Sequence, residues 1–390
     1  MHRSLRRFAA LLLFAVPVSF LGRGGAWGAA EERPLPPREP HTFALTPLPT
    51  DGAQEERSES AVVLVVLDGV RWQEVFGGAD RDFARRRGLD PLVWANARDL
   101  VPNLQHMLDD DAVAIGAPGH GQEMTASGPR FISMPGYLEI FAGRPDPGCE
   151  SNECPRPPAH TIADDVRDSS GADDVAIVTS WPNIARAVGT EASRYVMTAG
   201  RKLLARGETL RADAETASLI DKASPVKPWP GEGDYRPDAY TAAIALRVLV
   251  TERPRFLFVG LGDADEYGHR NDYRRYLDAI HQSDAFLGQL ETALGGMGAR
   301  GRHTTVLVTV DHGRAYSFRD HGARYPESGR VWFVAAGGDV HGHGLLPASR
   351  RHTLSDVAPT VRALLGIAGD GHPIDEVVGG NQGAGALSHP

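Results

Sequence analysis

AVVLVVLD, residues 61–68, is seven apolar residues in a row closed by an aspartate. It lacks the polar alternation of a strand with one wet face, and it is too short for a buried helix. It reads as a strand covered on both faces, the kind found inside parallel sheets. The same type returns at DVAIVTS (174–180), RFLFVGLGD (255–263), TTVLVTVD (304–311) and VWFVAAGG (331–338). Between them lie helical patterns at TAAIALRVLV (241–250), YRRYLDAIHQSDAFLGQLETAL (273–294) and TLSDVAPTVRALLGI (353–367), the last starting near Ser355 or Asp356. Strands alternating with helices imply an α/β fold: a doubly wound, mostly parallel central sheet with helices on both faces. The segments 73–130 and 145–160 show no clear period and are expected to form loops or a small cap.

Outside this region the sequence changes character. Residues 1–30 carry a basic start (His2, Arg3, Arg6, Arg7), an apolar run over 8–21 and small residues at 24–30. That is the pattern of a secretory signal peptide, and its apolar run is shorter than the roughly 20 residues of a bilayer span. A Pro-, Glu- and Arg-rich tether over 31–58 follows, then one catalytic-sized domain over 59–370 and a Gly-rich tail over 371–390. The expected product is exported, periplasmic or extracellular, with no transmembrane span. In an oxidising compartment the two cysteines of the chain, Cys149 and Cys154, are expected to pair. A formal net charge of −9 argues against a nucleic-acid partner bound by bulk charge. An anionic substrate would need local cations.

Ligands of such sheets bind at the carboxyl ends of the strands. There the first run reaches Asp68, the third reaches GDADEYGH with Asp265 and His269, and the fourth reaches Asp311 and His312; His321 follows in a second Asp-His-Gly. A lone aspartate at a strand end is ordinarily a turn or cap residue. Carboxylates and imidazoles converging from several strand ends instead suit divalent cations, and mixed Asp/His donors suit zinc. RFISMPGYLEIFAG (130–143) then supplies Ser133 ahead of an apolar helical run. A metal-bound hydroxyl ionises near neutral pH, and a helix start adds its dipole and unpaired N–H groups. Thr125 and Ser127 are the next hydroxyls to consider.

With these residues in this order, residues 61–367 resemble the alkaline phosphatase superfamily, most nearly its nucleotide pyrophosphatase/phosphodiesterase-like branch. The resemblance implies a nucleophile at Ser133, with Pro135 and Gly143 at the family's offsets. It implies one zinc on Asp68, Asp311 and His312 and another on Asp265, His269 and His321, with His341 and His343 competing for the last place. It further implies a phosphate oxygen held by Asn152 and a phosphoserine intermediate in the hydrolysis of a small-molecule, lipid or nucleotide phosphate ester. Gly136-Tyr137 replaces the branch's Asn-His, and Tyr137 stands where sulfatases carry arginine, which turns the reading away from them. A phospho-group transferase of the same fold and a secreted non-catalytic binding protein are the other readings. Trp72, Phe76, Trp94 and Tyr137 are candidates to stack on a substrate or to pack in the core.

Overall fold

The structure is a computed structural model that describes residues 60–90, 94–157, 160–189, 195–201, 214–338, 340–348 and 350–379. The expected signal peptide (1–30), the expected tether (31–58) and the end of the expected tail (380–390) lie outside the described residues. The strands are β1 (Ala61–Leu67), β2 (Val113–Ile115), β3 (Met124–Thr125), β4 (Val175–Thr179), β5 (Val196–Ala199), β6 (Phe256–Leu261), β7 (Thr304–Thr309), β8 (Arg330–Val331), β9 (Phe333–Ala336) and β10 (Gly344–Leu345). Eight form one sheet in the order β10-β2-β9-β7-β1-β6-β4-β5, and β3 pairs with β8 separately. The opening strand β1 lies at its centre, parallel to β6 on one side and β7 on the other. Every residue of β1 is buried, as its unbroken apolar run requires. Helices cover both faces.

The run at 331–338 turns out differently from its siblings. Val331 belongs to the small β3–β8 pair, and β9 runs antiparallel to both β7 and β2. Nothing in a uniformly apolar strand states its direction, and the chain has only 20 residues between β7 and β8 in which to return. The segment 73–130 is also no loop. It holds helices Trp72–Gly77, Arg81–Arg86, Ala97–Leu100 and Pro102–Asp110, and then β2, which joins the main sheet. These helices are too short to display a period. Side chains fix their ends: Asp80 and Asn96 cap the second and third. The buried Asp284, from helix Tyr273–Gly296, accepts the Asn103 and Leu104 N–H groups at the start of the fourth. The 353–367 pattern begins one step earlier than expected, with Thr353 and Asp356 forming a capping box ahead of helix Val357–Leu364. The described chain continues to Gly379 through helix Asp375–Val378, where Glu376 meets the buried His352. No helix among the described residues is long and apolar enough to cross a membrane.

Candidate active site

Parallel strands β1, β6 and β7 bring Asp68, Asp265 and Asp311 to one end of the sheet. Ser133 is the first residue of helix Ser133–Ala142, and its Oγ lies 3.5 Å from Asp68 Oδ1 and 3.4 Å from His312 Nε2. Asp265, His269 and His321 form one group able to hold a cation, and Asp68, Asp265 and His312 a second. In each group one donor atom per residue lies within 4.8 Å of the others. Asp265 thus faces both groups rather than one. Asp311 Oδ2 sits 3.4 Å from His312 Nε2. His321, not His341 or His343, approaches His269, Nε2 to Nε2 at 3.1 Å; the other two histidines are exposed elsewhere.

Backbone geometry accounts for this convergence. The serine helix can approach β7 because residue 136 is glycine: a Cβ there would stand 2.3 Å from the Asp311 carbonyl oxygen. Gly69 adopts φ +63°, and a side chain there would strike Asp265 Oδ1. The histidines are held in one tautomer by carbonyls, which only accept. His312 Nδ1–H donates to the Gly313 carbonyl at 2.8 Å and His321 Nδ1–H to the Phe131 carbonyl at 3.0 Å. Each therefore turns an unprotonated Nε2 into the site.

Electrostatics divide the carboxylates. Burial, and then the charges of Asp311 and Asp265, hold Asp68 well above the usual carboxylate range. Burial, and then Asp265, push Asp311 up to about 8. Burial would raise Asp265 too, but Arg314, His269 and His321 outweigh it and leave it well below the ordinary value. Burial lowers His312 and His321, whereas Asp265 raises His269. Asp311 Oδ2 is buried with no hydrogen-bond partner. An orphaned carboxylate oxygen, inward-facing imidazole lone pairs and mutually repelling acids are a donor set that fits divalent cations.

One expectation changes here, and one open choice closes. The helix start does not offer a row of unpaired N–H groups. Met134 N–H donates to Asn152 Oδ1 at 3.0 Å, Pro135 has none, and Gly136 N–H goes to the Ile132 carbonyl at 3.2 Å. Asn152 is thereby fixed beside Ser133, inside the loop closed by the Cys149–Cys154 disulfide. The aromatic candidates are committed to packing: Phe76 against Trp332, Trp94 against His281, and Trp72 under the Arg330 guanidinium. Sequence reasoning also missed the role of Tyr137 and the whole of Arg314. Tyr137 donates its hydroxyl to Asp68 Oδ2 at 3.1 Å. Arg314, fully buried, bonds Asp265 Oδ1 through Nη1 and the Phe318 carbonyl through Nε at 2.7 Å. Arg314 lies two residues after His312, and its proximity to the Asp-His motif was the one signal available.

Residues 237–368 match the model of the Metalloenzyme superfamily. A phosphopentomutase of Methylobacterium radiotolerans is 31% identical over 190 residues, covering 48% of this chain and 43% of that protein. The chain spans less than half the length of the curated relatives it matches. Among solved structures, the wild-type alkaline phosphatase PafA aligns with a TM-score of 0.55 at 12% identity, over 82% of this chain and 99% of that one. A 2-O GAG sulfatase aligns with a TM-score of 0.54 at 12% identity, over 85% of this chain and 76% of that one. At such identities the structural likeness is one of fold. The fold is alkaline phosphatase-like, and the matched segment is similar to the Metalloenzyme superfamily, with no branch singled out.

Proposed function

We propose that this protein is an exported metal-dependent phosphohydrolase that cleaves phosphate esters through a phosphoserine at Ser133. The observation that carries the reading is the position of Ser133 Oγ, within 3.5 Å of both Asp68 Oδ1 and His312 Nε2, two members of a group able to hold a cation. Asp68, Asp311 and His312 would hold one ion, and Asp265, His269 and His321 the other; zinc suits these donors. The bound ions supply the positive charge that acidifies the serine hydroxyl and neutralises the attacking and leaving oxygens. Ser133 Oγ then attacks phosphorus in line; its bond to phosphorus forms as that to the leaving alcohol breaks. Water attacks the phosphoserine next, releasing phosphate or a phosphomonoester and restoring the hydroxyl. Asn152, whose Oδ1 is taken by Met134 N–H, has its amide nitrogen left to hold a phosphoryl oxygen.

Tyr137 stands where the sulfatase signature carries arginine and its hydroxyl is spent on Asp68, which favours phosphate esters over sulfate esters. Similarity to a phosphopentomutase supports transfer to a hydroxyl acceptor as the second reading, since both share the phosphoserine. The test pairs metal analysis of the purified protein with assays on aryl phosphate mono- and diesters and an aryl sulfate, with and without acceptor alcohols. Ser133→Ala should retain both ions and lose more than about 1000-fold in turnover. Full turnover in that variant at unchanged metal content would overturn the nucleophile. No bound metal and no hydrolysis in the parent protein would leave a binding protein.

A further inference from the structure

Ser133 and Tyr137 stand four residues apart, about one turn from each other on one face of the same helix. Between them they straddle a single carboxylate. Ser133 Oγ faces Asp68 Oδ1 at 3.5 Å, and the Tyr137 hydroxyl donates to Asp68 Oδ2 at 3.1 Å. Asp68 Oδ1 also faces His312 Nε2 at 3.5 Å. One oxygen of Asp68 is therefore tied to the protein and the other is aimed at the nucleophile and the imidazole. Asp311 repeats the arrangement with backbone donors. Its Oδ1 accepts Gly69 N–H at 3.1 Å and His312 N–H at 2.9 Å, while its Oδ2 is the orphan.

We propose that Tyr137 is the positioning residue of the buried cation site: its hydroxyl selects which oxygen of Asp68 ligates, and its place on the serine helix sets nucleophile and ligand in register. This rests on the two-metal reading above. A carboxylate free to rotate offers either oxygen or both, and loses orientation with each alternative. Tying one oxygen removes that freedom without adding charge, and outer hydrogen bonds of this kind tune metal affinity. The tie is itself well held. The Tyr137 ring is fully buried, edge-on to Phe258 of β6 at 6.2 Å and against Trp181 at 6.4 Å. The Gly136 contact that seats the helix on Asp311 lies one residue away, so helix, tyrosine and both acids form one unit.

Tyr137→Phe removes one oxygen and keeps the ring packing; Tyr137→Leu removes the ring as well. Zinc binding is titrated by chelator competition in the full chain, with stoichiometry from elemental analysis and Tm of the metal-free protein from calorimetry. The parent protein should hold two ions. Both variants should bind one of them as the parent does and the other roughly 10- to 100-fold more weakly. Tm should fall in the leucine variant and hold in the phenylalanine one. Parent-like binding of both ions by the phenylalanine variant would overturn the proposal, as would a loss of affinity that follows Tm across the two variants. A parent protein that does not bind two ions would instead refute the two-metal reading.

Discussion

The two proposed cation sites use the same donor types but solve the problem of stored charge in opposite ways. Around Asp68, Asp311 and His312 every side chain is buried, no cationic side chain among the described residues bonds either acid, and burial raises both carboxyls, with Asp311 and Asp265 adding to it at Asp68 and Asp265 at Asp311. Around Asp265, His269 and His321 the acid is held ionised by the buried Arg314 guanidinium, and the His269 side chain is 46% exposed. Arg314 is seated with care: Gly268 leaves it room, since a Cβ there would touch the guanidinium carbon, and Phe318 takes φ +77° while its carbonyl accepts Nε–H. Such a φ is rare for a bulky residue and persists only where its surroundings enforce it. The inner group is thus incomplete without a cation, whereas the outer group carries a permanent one. The inner site should bind its ion as part of the structure; the outer, solvent-facing site should exchange it.

Single ligand changes should break this asymmetry most visibly. Asp311→Asn replaces the orphaned oxygen of the inner group and should abolish one bound ion and lower turnover by about 1000-fold. His269→Ala removes the exposed ligand, whose place water can take, and should weaken one ion by roughly 10- to 100-fold while the other stays tight. Elemental analysis and chelator titration of both variants decide the point. Equal losses would show that the groups do not differ as their burial implies.

A smaller effect should appear in the stripped protein. Asp311 is raised from 3.8 to about 8 and Asp68 moves in the same direction, so between their unfolded and folded values the native state binds protons that the unfolded chain has released. His312 and His321 are lowered from 6.5 and act in the opposite sense, but only while the unfolded histidines are charged, below about that pH. The raised His269 sides with the carboxyls. Asp265, lowered, matters only below the ordinary aspartate range. The metal-free protein should therefore lose stability as pH rises from about 6.5 to 8, by roughly 5 °C or more in Tm. Zinc-loaded protein should lack this fall. Scanning fluorimetry with chelator or zinc measures both; a metal-free Tm that holds to pH 8 would mean the inner acids do not repel as described.

The sequence announces the inner frame and hides what tunes it. Residues 61–68 disclose both a doubly covered strand and its terminal acid, because burial on two faces admits only apolar residues until the chain emerges at the site. Asp265, His269, Asp311 and His312 are legible for the same reason. The direction of β9 is not, because a hydrogen-bond ladder leaves no mark on the identity of apolar residues. Helices of four to nine residues between Trp72 and Asp110 show no period and are anchored in part by Asp284, far along the chain. Tyr137 and Arg314 escape for a related reason. A phenol in an apolar helix and an arginine in a loop acquire their roles only from partners 69 and 49 residues away.

The smallest effect concerns the rim rather than either metal group. Asn152 is tied three ways: its Oδ1 by Met134 N–H, its carbonyl by Arg186 Nη2–H at 2.9 Å, and its loop by the disulfide spanning five positions. Closing so short a loop is worth only about 2 kcal/mol against the unfolded chain. Two of the three ties do not involve the cysteines. Cys149→Ser with Cys154→Ser should accordingly leave both ions and kcat nearly unchanged and raise KM by only about threefold to tenfold, because Asn152 keeps its place on average but with more freedom. Asn152→Ala should raise KM further. If the double serine variant instead lost an ion, the loop would belong to the metal frame, and the division between a rigid inner site and an adjustable rim would fail.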